Sequence, residues 1–227
     1  MKIAIIGAAP SSRMSAPYRD PSWTIWAHSP SQFNQLPRQD AWFDLHSMQR
    51  MTGESHKTTY LAWCRLVPKL YLQEVDPRFP NSVKYPKDEI VAEFAPFSSY
   101  FLTSTAAWMM ALAIYEKPEA IGLYGIDMMA REEYQHQRPG MFYFICEAKR
   151  RGIEVIIPPE SAINWTEPLY GYRELDGQWM RMKARQAELN QRLNETKVQS
   201  QLCRDQQLQI MGAIEDLNVI IESNWSN

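Results

Sequence analysis

Four groups of residues in this chain have the types and spacing to do chemistry. The first is Gly7-Ala8-Ala9-Pro10-Ser11-Ser12, directly after the apolar run Lys2-Ile3-Ala4-Ile5-Ile6. Small residues at a strand end let backbone N–H groups approach an anionic ligand, and Ser11 and Ser12 add hydroxyl donors. The turn is not a G-x-G-x-x-G fingerprint. The second apolar run ends in Ala27-His28-Ser29 without an acidic residue, so His28 and Ser29 are candidate contacts for a nucleotide other than NAD. The second group, Thr103-Ser104-Thr105, sets three hydroxyls at the start of an apolar helix. There the positive end of the helix dipole suits a phosphate or a carboxylate, although ordinary capping needs only one of the three. The third is Gly125-Ile126-Asp127 at the end of a further apolar run, where Asp127 is positioned either for a ribose or base, or for capping the next segment.

The fourth group holds the candidate reacting residues. His46 closes a third apolar run, where it serves as a general base or as a structural histidine. Glu132, Glu133, Tyr134, His136, Gln137 and Arg138 form a dense polar cluster after Asp127. From it Glu133 is a second candidate catalytic group and Arg138 a candidate phosphate clamp, the alternative being a solvated surface loop. Glu160 stands beyond a later apolar run and is placed to complete the same pocket. No pair of acids has a spacing that suggests a metal site; at most, Asp127 with Glu132 or Glu133 would hold one magnesium ion weakly.

These groups need a scaffold that brings strand ends together. Strands are expected over 2–6, 23–27, within 42–46, near 69–73, over 120–124 and over 154–157, and helices over 103–116 and 139–151. The stretch from Pro77 to Pro86, punctuated by Pro77, Pro80 and Pro86, reads as an irregular loop. Strands alternating with helices at this spacing predict a Rossmann-like α/β domain with a mainly parallel sheet and helices on both faces, over residues 1–171. Beyond residue 172 Gly and Pro nearly vanish, and one long helix or two are expected over 172–227. Leu175, Trp179, Met182, Gln186, Leu189, Leu193, Thr196, Ser200, Cys203, Gln207, Ile210, Ile214, Leu217 and Ile221 follow one another at alternating steps of four and three. That heptad seam predicts a coiled coil and a homo-oligomer through 175–221, or else a helix folded back on its own domain.

Composition narrows the classes. With 45% hydrophobic and 22% charged residues among 227 the chain is globular, and a net charge of −2 leaves no basic excess for a nucleic acid. Cys64, Cys146 and Cys203 are too far apart for a disulfide framework or a zinc site. The first strand starts one residue after Met1, which leaves no room for a signal peptide, and no apolar run approaches the roughly 20 residues of a membrane span. A cytoplasmic protein with no membrane partner is expected.

The order of Gly7 to Ser12, Trp26-Ala27-His28-Ser29, Thr103-Ser104-Thr105 and Ile121-Gly122-Leu123-Tyr124-Gly125-Ile126-Asp127 resembles one superfamily. It is similar to the Rossmann-like fold shared by bacterial sialyltransferases of the lipooligosaccharide type and hydroxymethylpterin pyrophosphokinase-like proteins. The resemblance implies nucleotide binding around these four groups. Ala9 and Thr105 stand where that pattern has Gly, and no catalytic histidine and tyrosine pair can be matched downstream. The whole chain also resembles phage and prophage proteins of undefined activity, through Ala9 to Ser12, Pro80 to Glu89, Thr103 to Thr105, Glu132 to Pro139 and Pro158 to Ser161. That likeness implies a phage-encoded protein acting in a host bacterial cytoplasm. Three functions follow as expectations: a glycosyl or nucleotidyl transferase with a nucleotide-activated donor, a non-catalytic binder that sequesters a nucleotide signal, or a phage assembly protein whose working part is the helix.

Overall fold

The computed structural model describes residues 1–52, 58–129, 133–164 and 176–225. The chain divides into two compact units, Met1–Asn164 and Trp165–Asn227. In the first unit a seven-stranded sheet is built from β1 (Lys2–Ile6), β2 (Trp23–His28), β3 (Ala41–Phe43), β4 (Leu70–Leu72), β5 (Ser82–Lys84), β6 (Ala120–Tyr124) and β7 (Glu154–Ile156). The strand order is β5-β4-β3-β2-β1-β6-β7 and every neighbouring pair is parallel. Such a sheet buries both faces, which is why β1 and β6 are continuous apolar runs rather than alternating ones.

The two faces carry separate cores. Ile3 and Ile5 of β1, with Trp26, Phe43 and Tyr71, pack against α3 (Lys87–Glu93), α5 (Thr105–Tyr115) and α6 (Arg138–Arg150). Ala4 and Ile6, with Ile25, Trp42, Leu70 and Leu72, pack against α1 (Met48–Met51) and α2 (Thr58–Cys64). A one-residue step along a strand exchanges the two environments, so the register is fixed by burial on both sides. The expected Rossmann-like α/β architecture with helices on both faces is therefore present.

Two local expectations change. The proline-punctuated stretch 77–86 is not a plain loop: it contains β5, whose Ser82, Val83 and Lys84 align with Leu70, Tyr71 and Leu72 of β4. It lies at the sheet edge, where prolines flanking a short strand remove no ladder bond. The third strand stops at Phe43 instead of running on to His46.

β1 and β6 are adjacent, yet α1 to α5 lie between them in sequence; α4 is Ser98–Phe101. The strand order reverses at this pair, and beyond their carboxyl ends the chain diverges in two directions. Gly7 N–H donates to Tyr124 O at 2.8 Å and Ala9 N–H to Gly125 O at 2.9 Å. A Cβ on Gly7 would run into the Gly125 carbonyl, and a Cβ on Gly125 would lie 2.6 Å from Gly7 O and 2.9 Å from Ala9 O. Gly125 also has φ +64°, a left-handed conformation that disfavours a side chain.

α5 is apolar on every side and almost wholly buried, as expected of a helix at the centre of a layer. Ser104 is its N-cap, with Oγ accepting from Ala107 N at 3.1 Å. The approach to α5 is pinned by α6, where a side chain on Gly140 would collide with Phe101 O. In the second unit α7 is one unbroken helix, Asp176–Trp225. Leu175 of the expected seam, and the boundary at 171 and 172, lie outside the described residues, and nothing is described of the Trp179 side chain. Among the described residues no helix is long and apolar enough to cross a membrane.

Gly125→Ala should destabilise the first unit by about 2 kcal/mol or more, because left-handed strain of roughly 1–2 kcal/mol adds to the overlap with two carbonyls. Gly152 also has positive φ, but an added Cβ there meets nothing within 4 Å. Gly152→Ala should therefore cost distinctly less in the same denaturant titration, and equal losses would contradict the close-approach account.

Candidate functional site

The sheet positions a cavity of about 510 Å³ beyond the carboxyl ends of β1, β2, β3 and β6. That size suits a small-molecule ligand, and the reversal of strand order is where open α/β sheets place one. Of the residues singled out by sequence, Gly7, Ala8, Ala9, His28, Ser29, His46, Thr103, Ser104, Thr105, Gly125 and Asp127 line it together, with Gln137 of the polar cluster. Pro10, Ser11, Ser12 and Arg138 do not. Nothing is described of the Glu133 side chain, and Glu132 lies outside the described residues.

The residues behind the wall hold its shape. Ser12 is buried, and its Oγ accepts from Gly125 N at 2.9 Å, tying the β1 turn to the β6 end. Ser11 Oγ donates to Asp127 Oδ1 at 2.8 Å. The same oxygen accepts from Ala162 N at 3.1 Å and lies 3.2 Å from Ser161 Oγ, whose nearer partner is Ile126 O at 2.8 Å. All of these contacts fall on Oδ1, so the carboxylate is fixed in orientation and Oδ2 remains as the acceptor for a ligand. Arg138 is buried and directs Nη2 to Ala162 O and Ile163 O and Nη1 to Asp127 O, at 3.1 to 3.3 Å. It cross-braces the backbone on which Asp127 sits.

The third strand end carries a polar chain that runs from the core to the cavity. Trp42 Nε1 donates to Tyr60 Oη at 2.9 Å, Tyr60 Oη donates to Asp44 Oδ2 at 2.8 Å, and His46 Nδ1 lies 2.7 Å from Asp44 Oδ1. Asp44 is 2% exposed. Burial pushes its carboxyl up, but the hydrogen bonds from His46 and Tyr60 outweigh that and hold it below the usual carboxylate range. With Nδ1 directed at Asp44, Nε2 is the nitrogen of His46 suited to take a proton, the arrangement by which a carboxylate sets the tautomer of a catalytic histidine. Tyr60 is pushed upward by burial and by the Asp44 charge, so it remains a donor.

His28, on the neighbouring strand, behaves differently. Its Nε2 is buried and has no hydrogen-bond partner among the described residues. Burial pulls its pKa down to about 4; the Asp44 charge opposes this and His46 adds to it. One cavity thus holds an aspartate-backed histidine and a second histidine kept neutral.

Sequence reasoning missed Asp44, Arg50 and Trp108 as site residues. Asp44 had no distinct signal, because it directly follows the apolar β3 and reads as the polar end of that run. Arg50 of α1 lines the cavity, and its guanidinium has no hydrogen-bond or ion-pair partner among the described residues. Only the tertiary structure brings it there. Trp108, within the helix expected over 103–116, is half-buried and faces the cavity. Among the described residues no group of three or more His, Cys, Asp or Glu side chains could hold a metal ion.

No protein-family model matches the chain, and no curated protein sequence matches it. Solved structures similar to it include the sialyltransferase CstII from Campylobacter jejuni in complex with CMP-3FNeuAc, at 16% identity over 69% of this chain and 79% of that one, with a TM-score of 0.47. An alpha-2,3-sialyltransferase from Campylobacter jejuni in apo form is 14% identical over 69% of this chain and 74% of that one, with a TM-score of 0.45. Thiamine pyrophosphokinase from Bacillus subtilis is 12% identical over 70% of this chain and 60% of that one, with a TM-score of 0.42.

The neutral His28 gives a pH signature. Between about pH 4 and 6.5 the unfolded chain binds a proton at this residue and the folded chain does not, so stability rises with pH through that window and is lost on acidification. The full span corresponds to about 3 kcal/mol. Asp44, depressed below its ordinary value, adds its own loss only at lower pH. Denaturant titrations of His28→Gln should show a markedly flatter slope between pH 6.5 and 4 than the parent, whereas an unchanged slope would assign the acid sensitivity elsewhere.

Proposed function

We propose that the chain binds a nucleotide or nucleotide sugar at the carboxyl edge of its sheet and transfers a group from it to a hydroxyl acceptor, with His46 as general base. The observation that carries this reading is the meeting of three unlike functions in one cavity. The Ala8 N–H, the start of α5 and the Arg50 guanidinium form an end suited to phosphate, while the Gly7 and Ala9 N–H groups are bonded to the β6 end. Asp127, fixed through Oδ1, offers Oδ2 to ribose hydroxyls or a base amine. His46, oriented by buried Asp44, offers Nε2.

In the reaction the acceptor hydroxyl gives its proton to His46 Nε2 and its oxygen forms the new bond to the transferred carbon or phosphorus. The bond from that atom to the nucleotide phosphate breaks, and its electron pair leaves on a phosphate oxygen held by the N–H groups and Arg50. A binder that merely sequesters a nucleotide needs no base, so the Asp44–His46 pair favours transfer. The resemblance to phage-borne chains makes a phage-infected bacterial cytoplasm the place to seek donor and acceptor. Glu133 and a weakly held magnesium ion remain part of the proposal only through the sequence.

Calorimetry against a panel of nucleoside phosphates and nucleotide sugars is the first test; a protein that binds none of them lacks the proposed function. With a ligand in hand, Asp127→Ala should weaken binding about 10- to 100-fold, the effect of losing a charged hydrogen bond. His46→Ala and Asp44→Asn should leave affinity within a few-fold and lower kcat by about 10²–10⁴. Full kcat in His46→Ala would remove the base assignment.

We propose in addition that α7 joins copies of the chain. At 50 residues it is about 75 Å long, and Leu189, Leu193, Ile210, Ile214, Leu217 and Ile221 of the seam are 46–61% exposed. So much apolar side chain along one stripe is the mark of a helix that packs against its like. In the full chain, Ile214→Glu with Leu217→Glu should reduce the light-scattering mass to that of a monomer. An oligomer of unaltered mass would place the interface elsewhere.

A further inference from the structure

A second, smaller chamber of about 100 Å³ shares two walls with the main cavity. It is lined by Leu45, Gln73, Tyr85, Lys87 and Trp108, and Leu45 and Trp108 belong to both spaces. Its polar groups are few and differ in kind. Gln73 Nε2 donates to Leu45 O at 2.8 Å, which fixes the amide and leaves Oε1 as an acceptor. Tyr85 Oη donates to Trp108 O at 2.7 Å, so the hydroxyl braces the Trp108 backbone. The Tyr85 ring meets the Trp108 indole edge to face at 5.4 Å and sets the orientation of that shared wall. Among the described residues Lys87, which is exposed, has no hydrogen-bond or ion-pair partner and is the only cation in the lining.

We propose that this chamber is the subsite for the second substrate, and that it takes a small anionic group bearing a neighbouring hydroxyl, of the hydroxy-acid type. A carboxylate would pair with the Lys87 ammonium, the hydroxyl would donate to Gln73 Oε1, and the carbon skeleton would lie against Leu45 and the Trp108 indole. The volume admits a group of a few heavy atoms and no nucleotide. Leu45 is the residue between Asp44 and His46, so a molecule anchored here adjoins the base that would deprotonate a second hydroxyl of the same molecule, one not bound to Gln73. The assignment of this group to an acceptor rests on the transfer reading above; the binding chemistry of the chamber does not.

The test uses the full chain with the indole N–H resonance of Trp108, assigned through Trp108→Phe, and D-glycerate and glycerol as probes. Glycerate should shift the resonance in a saturable way, and glycerol, which lacks the charge, should not. Lys87→Met should abolish the glycerate shift and leave nucleotide affinity within a few-fold, while Arg50→Met, on the main cavity, should leave the glycerate shift in place. A shift lost in Arg50→Met but kept in Lys87→Met would put the anion in the main cavity and overturn the proposal, as would equal responses to glycerate and glycerol. If glycerate binds through Lys87 but no nucleotide binds, the chamber stands and the transfer reading fails; if nucleotides bind and glycerate does not, the reverse holds.

Discussion

The carboxyl ends of β1 and β6 approach so closely that neither Gly7 nor Gly125 has space for a side chain, and the site depends on that approach. Parallel strands leave their carbonyl-terminal ends on one edge, and adjacent strands whose chains depart in opposite directions open a gap there. In this chain the gap is locked by backbone hydrogen bonds from Gly7 to Tyr124 and from Ala9 to Gly125, and by the Ser12 hydroxyl on Gly125 N. The lock brings the β1 turn and Asp127 to one wall with a fixed spacing. Ser11 then reaches Asp127 because both lie immediately beyond the locked glycines.

The opposite wall is set by a different force. A carboxylate as buried as Asp44 is tolerated only when its oxygens are hydrogen-bonded, and here one oxygen is held by Tyr60 and the other by His46. Tyr60 is in turn fixed by Trp42, whose indole also meets Trp63 edge to face at 4.6 Å. The aromatic packing of α2 against the sheet thereby becomes part of the orientation of His46. Removing Tyr60 would leave a buried charge short of a donor, a larger penalty than the loss of an ordinary neutral hydrogen bond.

Much of the scaffold was legible because burial on both faces of a parallel sheet writes itself as apolar runs, as in Ile3 to Ile6 and Ala120 to Leu123. The clusters at strand ends were legible for the same reason, since the end of each run marks the functional edge. β5 was hidden because an edge strand needs no continuous apolar signal: its Val83 is 36% exposed and prolines stand on either side. Asp44 was hidden by lying next to an apolar run, where a polar residue reads as a strand end rather than as half of a dyad. Arg50 and Lys87 could not be found from sequence at all, because what distinguishes them from other surface cations is the cavity each one faces.

The same cavity holds several of the places where the chain departs from local preference. Of the four non-glycine residues with positive φ among the described residues, Ser29 at 84° and Met128 at 50° both line it. His28, beside Ser29, keeps a buried nitrogen without a partner among the described residues. Each departure is unfavourable by roughly 1–3 kcal/mol and persists only where the surrounding structure over-determines it. Here that structure is the all-parallel sheet and the two cores against it, which fix β2 and β6 from both faces and leave the residues just beyond them little freedom to relax. A ligand that supplies a donor or acceptor to His28 would recover part of that unfavourable energy, so binding and stability are coupled through this residue.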